Sequence, residues 1–169
     1  MPFATSYAIS LHGALGHLIE VQADISSGIV GTTVVGRPDP SLNEARDRCR
    51  MAVVNSDLDW PSTRRVTILL SPADLLKRGT HFDLSIAVSV LAAAGAVSRD
   101  ELAGTVFIGE LTLAGGLRAV PGVLPMTMAA AGRGIRRVFV PETQAREAAM
   151  VPGMEVLGLR SMAQGVAEL

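Results

Sequence analysis

The sequence predicts a mixed α/β fold, a β-sheet packed with helices, and three observations carry that expectation. Its first part alternates apolar and polar residues with period two, as half-buried strands do. LSIAVSVLAAAG is apolar around its whole circumference, as a helix buried on all sides would be. After it, strand-like and helix-like segments alternate, an order that calls for a sheet covered by helices. With 169 residues, 49% apolar but only 4% aromatic, the chain suits one compact domain with an aliphatic core.

The elements follow in order. SYAISLHG and HLIEVQADI read as two strands of an N-terminal hairpin, turned between Gly13 and Gly16. GTTVVG adds a third strand, and RPDP ends it because proline has no N–H to donate. Ser41 to Glu44 forms S-x-x-E, a capping box that opens a helix running to about Asn55. On it Leu42, Ala45, Cys49, Ala52 and Val53 make the core stripe, while Met51 and Val54 fall on the outer side. RRVTILLSP is almost continuously apolar, as expected of a strand covered on both faces. Gly95 is placed to stop the all-apolar helix, and FIGELTLAGGLRAV reads as a hairpin around Ala114 to Gly116. Pro125 suits the first turn of a helix through MTMAAAG, and IRRVFV returns as a strand. TQAREAAMV is a short helix and MEVLGL a short strand. Ser161 to Gln164 is a second capping box, opening the last helix.

Charge and rare residues exclude several classes. A net charge of −1 gives no long-range attraction for a polyanion or an anionic membrane, so nucleic-acid binding by this chain alone is disfavoured. One cysteine, Cys49, excludes an internal disulfide framework, and His12, His17 and His81 are too scattered for a zinc spacing. No metal is expected. MPFATSYAI lacks a secretion-signal pattern and no apolar run reaches membrane-spanning length, which predicts a cytoplasmic protein without a membrane partner. Every basic residue but Lys77 is an arginine. A Walker A phosphate loop is therefore absent, and any lysine chemistry must use Lys77.

The stretches NEARDRCRMAVVNSDLDWP, RRVTILLSPADL, GTHFDLSIAVSVLAAAG, FIGELTLAGGLRAVPGVLP and VFVP resemble the N-terminal domain of the ComM/YifB family, the magnesium-chelatase-like AAA+ ATPases. The resemblance runs from about Tyr7 to Leu169, with local departures at Arg37, Leu76 and Ser85. It implies a ribosomal-protein-S5 domain 2-like fold, as in the Lon proteolytic domain, and a single Lon-like N-terminal domain over residues 1–169. It also implies an ATPase module, absent from this chain, that would take ATP and Mg. The implied partners are that module, neighbouring subunits of a hexamer, and DNA reached through the full assembly during recombination and natural transformation.

Laid on the Lon pattern, Phe82 stands at the serine position and Leu124 at the lysine position, so the resemblance implies a domain that holds and positions but does not cut. Phe82-Asp83-Leu84 is more similar to the A-A-D-L stretch of RadA-like domains. The alternative dyad is Lys77 with Ser85 or Ser89. The plainer expectation has both hydroxyls bonding back to the preceding helical turn and Lys77 solvated. A Ser-His-Asp arrangement through His81 and Asp83 lacks a nucleophile elbow. Asp83 is expected to cap its helix. Arg46, Arg48 and Arg50 flank the core stripe, solvated and partly paired with Glu44 and Asp47. Arg46 and Arg50, with Met51 and Val54, are the possible interface, to phosphates, a neighbouring copy or the ATPase module. The rival functions are a vestigial or unconventional Ser-Lys peptidase and a DNA- or RNA-binding module.

Overall fold

The computed structural model describes residues 3–169, so the first two residues of the expected 1–169 domain lie outside it. The expected hairpin forms from β1 (Phe3–His12) and β2 (Leu15–Ser26), which pair antiparallel across a tight turn from His12 to Leu15. β3 (Gly31–Val35) runs parallel to β4 (Arg65–Ser71), which pairs antiparallel with β2. Past β1 lie β5 (Thr105–Phe107), β8 (Arg137–Pro141) and β9 (Glu155–Leu159), all parallel, completing a seven-stranded mixed sheet in the order β3-β4-β2-β1-β5-β8-β9. A separate two-stranded ribbon joins β6 (Glu110–Leu111) to β7 (Leu117–Arg118). The FIGEL stretch is therefore divided, since Thr105–Phe107 belongs to the main sheet and only the following residues make the hairpin.

Helices cover both faces. On one lie α1 (Pro40–Asn43), α2 (Ala45–Asn55), α3 (Asp83–Ala93) and α6 (Met162–Ala167). On the other lie α4 (Val123–Gly132) and α5 (Ala145–Ala148). Strand alternation divides the cores: Ile19, Val21, Ala23 and Ile25 of β2 face α3, whereas Ile9 of β1 packs with Met126 and Ala130 of α4. α4 lies over β1 and β2, where a Cβ on Gly16 would stand 2.4 Å from that of Ala129, so only glycine lets the helix sit there. Because α4 lies over β1 and β2, β4 is not covered on both faces as its sequence suggests: Val66, Ile68 and Leu70 are buried, and Thr67, Leu69 and Ser71 are half-buried. The architecture fits the S5 domain 2-like α+β fold.

Several helix ends differ from the sequence reading, each for a local reason. The S-x-x-E box does not cap a helix. Asp39 does, its carboxylate accepting the Ser41 N–H at 2.9 Å, with Pro40 at the first helical position. The helix then breaks at Glu44 and resumes as α2, on which Cys49, Ala52 and Val53 are buried as expected. Val54 is exposed, but Met51 is half-buried rather than on the wet face. The Ser161 cap forms, its hydroxyl accepting the Gln164 N–H at 3.2 Å.

All eleven residues of α3 are buried. At its C-terminus Gly95 takes φ +87°, and the Gly95 and Ala96 N–H groups return to the Ala92 and Leu91 carbonyls, the paired bonds of a Schellman motif. Ser85 and Ser89 do not bond back to the preceding turn, as Thr127 does to Val123 in α4. They reach the sheet instead. Ser6 Oγ on β1 lies 2.7 Å from Ser85 Oγ and 2.6 Å from Ser89 Oγ, and Ser89 donates to the Val21 carbonyl at 2.7 Å. A single donor direction, Ser85 to Ser6 to Ser89 to Val21, satisfies all three hydroxyls. Ser6→Ala should break this chain while leaving Ser89 its carbonyl, lowering stability by about 1 kcal/mol in urea denaturation; Ser6→Leu should cost several times more by overpacking the helix–sheet seam.

Candidate functional site

The residues singled out from sequence fall in four separate places. Phe82 precedes α3 and is fully buried in the α3-side core, its ring 4.3 Å from that of His81. Leu124 is on α4, where it lines an apolar recess of about 530 Å³ with Met128 and Met150. His81 sits half-buried, its Nε2–H donating to the Ile9 carbonyl at 2.7 Å, and burial lowers its pKa.

Lys77 overturns the expectation of a solvated side chain. It has no solvent exposure, and its ammonium donates to the Gly36 carbonyl at 2.6 Å and to the Pro72 carbonyl. Its backbone also pairs with the Arg37 carbonyl and the Asp39 N–H, so the residue fastens the segment after β3 to the loop after β4. Burial lowers its pKa. The ammonium and the Ser85 hydroxyl hydrogen-bond to different partners, and no bond joins them.

Asp83 is not a helix cap. Its carboxylate leaves the helix and takes Arg48 in a bidentate grip, Nε at 2.7 Å and a terminal nitrogen at 3.0 Å, and also accepts the Leu111 N–H at 3.1 Å. The reason is position: Asp83 is already inside the first turn, and α2 and the β6–β7 ribbon press on that end of α3. Arg48 is thus not a solvated side chain but one half of a shielded ion pair, linking α2, α3 and the ribbon. Burial pushes the Asp83 carboxyl up to about 6 despite the guanidinium beside it. Sequence reasoning noted both residues without pairing them, because they lie 35 positions apart.

Arg46 and Arg50 do share a site. They line a recess of about 420 Å³ with Arg64, Asp47 and the largely buried Trp60, at the edge of the sheet where β3 begins. The Arg64 contribution was not legible in sequence. Among the described residues no group of three or more His, Cys, Asp or Glu side chains is placed to hold a metal. Nor is any helix long and apolar enough to cross a membrane.

The family model described as subunit ChlI of Mg-chelatase matches residues 21–144, well over half of the chain. The chain belongs to this ChlI-like family. Within the family it is 40% identical over 97% of its length to an uncharacterised protein of Mycobacterium tuberculosis, of which it covers 32%. It is 37% identical over 89% of its length to competence protein ComM of Haemophilus influenzae, covering 29% of that protein. It is 39% identical over 80% of its length to the uncharacterised protein YifB of Escherichia coli, covering 26%. The chain therefore spans less than a third of each of these ChlI-like relatives.

Two outcomes are expected at the Arg48–Asp83 pair. Arg48→Ala should cost about 3 kcal/mol at pH 7 in chemical denaturation, because it strands a buried carboxylate; the loss should shrink at pH 5, where Asp83 takes a proton instead. In the wild type, a carboxyl-carbon NMR titration should place Asp83 near 6, above the ordinary 3.8. The folded state then binds the extra proton, so this group's contribution to stability is full below 3.8 and is lost as pH rises through about 6.

Proposed function

We propose that this chain is the N-terminal, non-catalytic positioning domain of a ComM-like AAA+ ATPase, a hexameric motor acting on branched DNA in recombination and natural transformation. ATP and Mg would be handled by the ATPase module, which lies outside this chain. The observation that carries the reading is the state of the only lysine. Its ammonium is enclosed and bonded to two backbone carbonyls, which supports a structural use over service to a phosphate loop or a serine. Relatives more than three times as long leave room for a motor module in the whole protein. The exposed Val54 and half-buried Met51 mark the part of α2 on which a neighbouring subunit or that module would rest.

An unconventional Ser-Lys peptidase is the rival reading, and it requires a hydroxyl within reach of the Lys77 nitrogen. A serine-reactive fluorophosphonate probe applied to the chain and to the full-length protein separates the two. We expect no labelling of Ser85 or Ser89. Labelling of either that disappears in Lys77→Ala would establish the peptidase instead.

A further inference from the structure

The recess between α2 and the start of β3 has a charge pattern found at no other cavity described above. Three guanidinium groups, of Arg46, Arg50 and Arg64, border it, and Asp47 is the only carboxylate among its lining residues. That carboxylate is a weak counterion: it is largely exposed and stands 4.0 Å from Arg50. Elsewhere the chain places arginines against closer carboxylates, Arg48 on Asp83 and Arg160 on Glu142. The concentration of positive charge is local, since the whole chain carries −1.

Two of the three arginines are also held in place. Arg46 donates one terminal nitrogen to the Thr32 carbonyl at 3.3 Å, and Arg64 donates its Nε to the Ser26 carbonyl at 3.4 Å. Each guanidinium has five N–H donors, so a carbonyl takes one and leaves the others to a ligand. Held on neutral acceptors, the groups keep their full charge while losing part of the freedom that binding would otherwise remove. Like charges gathered this way repel until an anion enters. The recess is a pocket and not a stripe along the surface, which fits one compact multiply charged group. A phosphate offers several oxygens to several forks at once, and arginine meets it through paired N–H bonds.

We propose that Arg46, Arg50 and Arg64 form a binding subsite for a phosphate group, either one phosphate of a nucleic-acid backbone or a free phosphate or phosphate ester. The site does not depend on the motor reading above. Trp60, the single tryptophan, lines the same recess and gives a built-in reporter. Its fluorescence is followed at constant ionic strength while the chain is titrated with inorganic phosphate, with a short DNA duplex, or with polyglutamate. Saturable responses to phosphate and to duplex, each at least tenfold weaker in Arg46→Gln/Arg64→Gln, support the subsite. A duplex response tenfold tighter than that of phosphate, through the same arginines, assigns the group to a nucleic-acid backbone; equal affinities assign it to free phosphate. A response to polyglutamate without one to phosphate or duplex overturns the proposal, as does the absence of any saturable response or one that survives the double substitution. Because the substituted side chains are exposed, circular dichroism should find both proteins equally folded; a variant that has unfolded is replaced by Arg50→Gln, read against the same criteria.

Discussion

α3 is buried around its full circumference, so every polar group at its N-terminal end must find a partner inside the protein. Those partners come from elements far away in sequence. The Leu84 N–H goes to the Gly109 carbonyl, the Gly109 N–H returns to the His81 carbonyl, and the His81 ring reaches Ile9 on β1. Asp83 takes Arg48 from α2 and the Leu111 N–H from the ribbon, while the Cys49 thiol donates to the Asp83 carbonyl at 3.2 Å. One buried end thereby fixes the relative places of α2, β1, the chain after β5 and the ribbon. The ribbon carries the constraint onward: its tip meets Asn55 of α2 through the Leu113 carbonyl and Met162 of α6 through the Gly115 carbonyl.

How much of this was legible depends on the range of the interaction. Period-two alternation located β1 and β2, and the all-apolar run with its glycine stop located α3, because both signals lie within a dozen residues. The Ser161 cap was readable for the same reason. The failure at Ser41 was also local: Asp-Pro at 39 and 40 is a stronger helix start than S-x-x-E, since the proline is already set in its helical φ and the carboxylate accepts a charge-assisted bond. What could not be read was pairing across the fold. Ser85 and Ser89 drew notice in sequence only as candidate partners of Lys77 and Ser6 not at all, and only the register of β1 under α3 makes the three one chain of hydroxyls. Arg64 joins Arg46 and Arg50 only because β4 begins beside β3 at the sheet edge.

Lys77 combines a lowered pKa with an enclosed set of hydrogen bonds. Burial disfavours the ammonium, and that alone would push the nitrogen toward the neutral form that could accept a proton. Its contacts act in the opposite sense. Both hydrogen-bond partners are carbonyl oxygens, which take stronger bonds from a charged ammonium than from a neutral amine. The site is built for a donor. A general base also needs its proton source within hydrogen-bond reach, and the Ser85 hydroxyl already donates to Ser6 on the sheet. The same lysine explains its own burial: it supplies N–H donors where the Gly36 and Pro72 carbonyls face inward, and so adds a side-chain tie to the single backbone bridge that joins the segments after β3 and β4.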